Sequence, residues 1–303
     1  MNRPVRNNPS AMTAKLRQAL AGVADVRDPG EAEEPILAPA VRHAVVSWLA
    51  EIRSAADLDA VGIKPRSTAL FYGPPGTGKT TLAHHLSARL GFPLVVVGSE
   101  TIFAAHLGAS ERNMARLFEA LDRADTPAVV LLDEIDAIGA KRGVDSGGGA
   151  THARNSTLTV MLRKIEEYSG VLIGATNLAE SLDPALWRRF GMQIEVALPD
   201  EDGRFAILKR YGQPFDFGDE AIEALTELTT GSAPSLLRQL MEGVKRMLVL
   251  GARAGKLPAT AEAGFSAVVQ SVRPHPDYDL PPLWADPSLV RLLSSAPWPP
   301  ARA

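Results

Sequence analysis

Residues 73–80 read Gly73-Pro74-Pro75-Gly76-Thr77-Gly78-Lys79-Thr80. An apolar β-forming run, Ala69-Leu70-Phe71-Tyr72, precedes this octet, and a helix-forming run from Thr81 to Leu86 follows it. Strand, glycine-rich loop and helix in that order are the context a phosphate-binding loop requires. The glycines let backbone N–H groups turn inward and approach phosphate oxygens without a Cβ in the way. The helix that follows points its positive end at the same anion. Gly73 to Thr81 are therefore read as the nucleotide-binding segment, with Lys79 directed at the β- and γ-phosphates and Thr80 at Mg²⁺.

A second octet extends the reading. Residues 129–136 are Val129-Val130-Leu131-Leu132-Asp133-Glu134-Ile135-Asp136. Four apolar β-formers ending in two carboxylates describe a buried parallel strand at its C-terminal edge, where open α/β sheets place their ligands. Asp133 is expected in the Mg²⁺ shell together with Thr80, and Glu134 is expected to polarise an attacking water. Asp136 is open between capping a helix and orienting its neighbours.

These motifs resemble the AAA branch of the AAA+ ATPases, and the resemblance spans roughly residues 35–273. Gly174-Ala175-Thr176-Asn177 is similar to that family's first sensor strand, and residues 182–199 are similar to its second region of homology. The resemblance implies that Asn177 orients the lytic water beside Glu134. It also implies that Arg188 and Arg189 are arginine fingers acting on the nucleotide of a neighbouring subunit. A guanidinium fork suits the charge spread over a transferring phosphoryl group. Read alone, the Arg-Arg pair is a solvated basic turn. Arg238 is a candidate nucleotide contact from the C-terminal helices, with a surface ion pair as the alternative. In that branch a small Gly-Ala pair is usual near the start of its helix, and here Pro234-Ser235 stand there.

The expected fold class is α/β: a doubly wound parallel sheet with a phosphate-binding loop, followed by a small helical lid. Strands are expected at 68–72, 93–97, 128–132, 171–175 and 193–197, and lid helices near 201–211, 219–230, 235–253 and 264–272. Residues 36–56 read as an amphipathic helix with Val41, Val45, Trp48, Leu49 and Ile52 on one face. The expected organisation is a flexible segment over 1–34 with one short helix near 12–24, an ATPase domain over 35–199, a lid over 200–273 and a Pro/Trp-rich tail over 274–303. The tail's tryptophans are expected to dock within the assembly.

Composition agrees with that class. The 303 residues are 46% hydrophobic and 22% charged, which permits a large buried core. No cysteine is present, so disulfides, thiolate metal sites and cysteine nucleophiles are excluded within these residues. A net charge of −3 argues against a dedicated nucleic-acid binder. No apolar run approaches the ~20 residues that span a bilayer, and no apolar run follows the N-terminal Met-Asn-Arg-Pro-Val-Arg, so neither a membrane nor a secretory leader is expected. The cytoplasm is the expected compartment.

The resemblance further implies ATP and Mg²⁺ as cofactors, a homo-oligomeric ring, a hexamer, and a protein client gripped by loops lining its pore. His106-Leu107 stand where family unfoldases usually carry an aromatic and a hydrophobic residue, and residues 143–154 stand at the second pore loop. The chain carries no His-Glu-x-x-His and no Gly-x-Ser-x-Gly sequence, so any proteolysis needs a separate protease partner. A nucleic-acid motor or loader, and a nucleotide-gated assembly factor with little threading, are the alternative functions.

Overall fold

The computed structural model describes residues 8–99, 109–139, 149–274 and 279–302. They divide into two compact units, one built from residues up to 35, 39–73 and 79–196, the other from 36–38, 74–78 and 197 onward.

The first unit is a sheet with helices. Its strands are β1 (Asp25–Arg27), β2 (Thr68–Tyr72), β3 (Leu94–Val97), β4 (Val129–Leu132), β5 (Val171–Thr176) and β6 (Met192–Glu195). Among the described residues they form one six-stranded sheet in the order β1-β3-β4-β5-β2-β6. Every pairing is parallel except β1 with β3. The helices are α1 (Pro9–Ala19), α2 (Pro39–Arg53), α3 (Lys79–Leu90), α4 (Ala109–Ala124) and α5 (Gly149–Glu167), with shorter turns between them. Strands β4 and β5 are buried along their whole length, as parallel strands covered on both faces must be. This is why they read as continuous Val/Leu/Ile runs rather than alternating ones. On α2, Val45, Trp48 and Leu49 are buried, and Trp48 Nε1–H donates to the Arg66 carbonyl at 2.7 Å.

The N-terminal segment corrects the expectation of a flexible linker. The Asn8 side chain accepts from the Ser10 N–H and Pro9 sits in the first turn, so α1 begins three residues earlier than its apolar spacing suggested. Leu16 and Leu20 are fully buried in the same cluster as Leu117, Phe118 and Leu121 of α4. Strand β1 pairs with the edge of β3, register Asp25↔Val96 to Arg27↔Leu94, so that edge is covered. Asp28 follows, and its carbonyl accepts from His84 Nε2–H of α3 at 2.8 Å. Prolines and charge made this stretch look like linker, but long-range packing overrides composition here. Leu16→Ala is expected to cost about 2–5 kcal/mol in a urea melt, the usual penalty for emptying a closed core site. A change near zero would mean that this segment does not stabilise the sheet.

The second unit is helical: α6 (Glu201–Gly212), α7 (Asp219–Leu228), α8 (Pro234–Ala254) and α9 (Ala261–Ser271). Ile207, Leu208, Leu225, Leu237, Leu240, Met241, Val244 and Phe265 form its core. Arg204 is buried and bonded to the carbonyls of Thr226 and Pro199, which ties α6 to the end of α7. The 279–302 stretch is not a separate tail. Leu283, Trp284, Val290, Leu293 and Ala296 are buried in the same core. Trp284 Nε1–H donates to the Val272 carbonyl at 2.6 Å and Trp298 Nε1–H to the Pro258 carbonyl at 2.7 Å. Ala301–Arg302 pair antiparallel with Phe215–Asp216. Tryptophans among prolines here are core anchors whose indole N–H groups find carbonyl partners. Among the described residues no helix is long and apolar enough to cross a membrane.

Candidate functional site

The order β4-β5-β2 sets three strand ends side by side: β2 leads into the glycine loop, β4 into Asp133-Glu134 and β5 into Asn177. Gly73, Gly76 and Gly78 have φ of 141°, 75° and 93°, values that residues with a Cβ rarely adopt. At Gly73 a Cβ would also lie 2.4 Å from the Val196 carbonyl oxygen. The Thr77 hydroxyl donates to the Pro74 carbonyl at 2.9 Å and holds the loop's turn.

Lys79 begins α3 and is buried, its Nζ donating to the Gly73 carbonyl at 2.8 Å. Burial pulls its pKa below the usual lysine range, and the carboxylates of Asp133 and Asp136 oppose that shift. The Thr80 hydroxyl donates to Asp133 Oδ2 at 2.8 Å, so the two residues expected to share Mg²⁺ are in direct contact. A hydroxyl and a carboxylate are hard oxygen donors that suit Mg²⁺, which is commonly held by one or two protein oxygens together with substrate phosphates and water. The residues present therefore fit the ion.

Glu134 has φ of 53°, in the left-handed region that a glutamate rarely occupies. The bonds around it impose this. The Asp133 N–H donates to the Val97 carbonyl at 2.9 Å and the Ile135 N–H to the Ala175 carbonyl at 3.0 Å, so the backbone is fixed to neighbouring strands on both sides of Glu134. Such local strain clusters at functional sites. The Glu134 carboxylate is exposed and accepts from the Ser99 hydroxyl at 2.9 Å. Asp136 Oδ1 accepts from the Thr176 hydroxyl at 2.6 Å, and that hydroxyl accepts from the Leu178 N–H. Asp136 thus orients the end of β5, where Asn177 stands exposed.

Arg188 and Arg189 are both exposed at the turn before β6. Arg189 pairs with Glu166 of α5 at 2.7 Å. Within the second unit, the Ser235 N–H donates to the Gly76 carbonyl at 3.2 Å. Arg238 pairs with Glu242 at 2.8 Å, four residues on, and lies over the Tyr211 ring. His106, Leu107 and residues 143–148 lie outside the described residues, as do the side chains of 151–154. Sequence reasoning did not find the partner roles of Ser99, Glu166 and Thr176. Each is an ordinary polar residue far along the chain from the group it orients.

A buried parallel strand, a glycine loop with positive φ values, a buried lysine and a Thr–Asp oxygen pair define a phosphate-binding-loop nucleotide domain. Residues 69–198 match the family described as ATPase family associated with various cellular activities (AAA). That segment is an AAA-family ATPase domain. Over 207 residues the chain is 37% identical to a proteasome-activating nucleotidase of Pyrococcus horikoshii, covering 63% of this chain and 51% of the relative. The corresponding protein of Methanopyrus kandleri is 34% identical over 180 residues, 57% of this chain and 41% of its own length. An ATP-dependent zinc metalloprotease FtsH of Lachnoclostridium phytofermentans is 35% identical over 189 residues, 60% of this chain and 32% of its own. The chain spans about half the length, or less, of these curated relatives.

Proposed function

We propose that this protein is an ATPase that works as a ring of identical subunits and couples hydrolysis to remodelling of a protein client. One observation carries the reading: Asp133 and Glu134 follow β4 and Asn177 follows β5 at adjacent strand ends, and Lys79 and Thr80 open the helix after β2 with the Thr80 hydroxyl bonded to Asp133 at 2.8 Å. In this reading the loop amides from Gly73 to Gly78 cradle the phosphates, and the buried Lys79 ammonium faces the β- and γ-oxygens. Thr80 and Asp133 would hold Mg²⁺, which when bound neutralises charge on the phosphate oxygens. Glu134 orients the attacking water and takes up its proton, and Asn177 helps to orient that water. Arg188 and Arg189 stabilise the charge developing on the phosphoryl group bound by the next subunit. Arg238 is the candidate contact from the helical unit, and would have to leave Glu242 to serve.

A protein client is supported by the relatives whose name describes a nucleotidase that activates a proteasome. These 303 residues contain no zinc-protease motif, so peptide cleavage would fall to residues outside them. Nucleic acid is disfavoured by the net charge of −3. A cytoplasmic ring drawing on cellular ATP fits a chain that makes no use of disulfides.

The test is steady-state turnover alone and with an unfolded polypeptide, single-stranded DNA or duplex DNA. Stimulation by polypeptide alone is expected. Stimulation by DNA without any by polypeptide would replace this reading with that of a nucleic-acid motor.

A further inference from the structure

The turn that carries Arg188 and Arg189 is tied down on every side by its own subunit. On its N-terminal flank, Trp187 packs against Tyr72, the last residue of β2, with ring centroids 5.2 Å apart. On its C-terminal flank the Phe190 ring is buried beneath β5. A Cβ at Gly174 would lie 2.5 Å from that ring, so the glycine makes room for it. Gln193 Nε2–H donates to the carbonyls of Phe190 at 2.8 Å and Trp187 at 3.2 Å.

The remaining tie comes from Thr68, the first residue of β2. Its hydroxyl donates to the Arg189 carbonyl at 3.2 Å and accepts from the Gly191 N–H at 2.9 Å. The β2–β6 ladder begins one residue later, at Ala69↔Met192. The Thr68 side chain thus continues that ladder with its hydroxyl and fixes the backbone on both sides of Phe190. Among the described residues Arg188 has no ion-pair partner, while Arg189 is held by Glu166.

We infer that Thr68 is a positioning residue for the arginine fingers, one that sets their backbone from the strand whose other end opens into the phosphate loop. The inference rests on the reading of Arg188 and Arg189 as groups acting on a neighbour's nucleotide. A finger must place its guanidinium within a few tenths of an ångström, and a misplacement of ~1 Å can cost ~10²-fold in rate. Strand β2 is paired on both sides, to β5 and β6, so losing the hydroxyl is not expected to unfold it.

The test is Thr68→Val, which keeps the side-chain shape and removes both bonds, with Thr68→Ser as the conservative variant. Thr68→Val is expected to lower kcat by about ten- to a hundredfold with KM for ATP unchanged, and Thr68→Ser to recover most of it. Mixing separates a finger defect from a pocket defect. Lys79→Ala subunits have intact fingers, so they should restore turnover in the pockets of Thr68→Val subunits. Subunits carrying Arg188→Ala with Arg189→Ala have intact pockets but no fingers, so they should not restore it. Rescue by the fingerless subunits, rescue by both, rescue by neither, or wild-type turnover of Thr68→Val would each overturn the inference. Mixing Lys79→Ala with the fingerless subunits is the control. If those two fail to rescue each other with mixing verified, the trans-finger reading itself is wrong, whatever Thr68 does.

Discussion

Glu134→Gln is expected to bind ATP as the wild type does and to lose about 10²–10⁴-fold of its turnover, the range a positioned general base supplies. The substitution is nearly isosteric. Glutamine's carbonyl oxygen can still accept from the Ser99 hydroxyl, which now stands 2.9 Å from Glu134 Oε2. The backbone bonds that force φ of 53° at this position do not involve the side chain. What disappears is the group that takes the proton from water. Equilibrium binding of a fluorescent ATP analogue and a single-turnover assay separate the two effects. Wild-type turnover in the variant would remove Glu134 from the chemistry.

Removing both fingers, Arg188→Ala with Arg189→Ala, is expected to lower turnover by about 10³–10⁵-fold, the contribution measured for such arginines in related phosphoryl transfers. Stability should hardly change. The ion pair of Arg189 with Glu166 joins two half-exposed side chains, and pairs of that kind contribute about 0–1 kcal/mol. A large loss of rate with an unchanged urea midpoint therefore assigns the effect to catalysis. A lowered midpoint would instead point to damage to the turn itself. Restoration of turnover on mixing with Lys79→Ala subunits, which keep the fingers and lack the pocket, places the action across a subunit boundary. A fingerless variant that turns over normally would leave the pair as a solvated basic turn.

Much of this was legible in the chain because the decisive signals are local. A strand, a glycine loop and a helix are contiguous in sequence, and four apolar residues ending in Asp133-Glu134 describe one strand and its edge. The five expected strands lie within two residues of their expected boundaries for the same reason, while β1, formed by long-range pairing with β3, was not expected. What escaped is what the fold brings together from far apart. Leu16 and Leu20 recur at helical spacing, but nothing local says that α4 waits to cover them. Trp284 and Trp298 sit among prolines, and only the surrounding helices show that their N–H groups end on the carbonyls of Val272 and Pro258. Ser99 and Thr68 carry no motif. Their roles come from a β3 end beside Glu134 and a β2 start beside Arg189, both set by the crossovers of the sheet.

The central claim is that each active pocket is completed by another copy of this chain. Specific ATPase activity measured against protein concentration, with molecular mass determined at each point in the presence of ATP, tests it most directly. The account predicts activity that rises steeply as monomers assemble and levels off once the ring is complete. Full specific activity at concentrations where the mass is that of a monomer would contradict it.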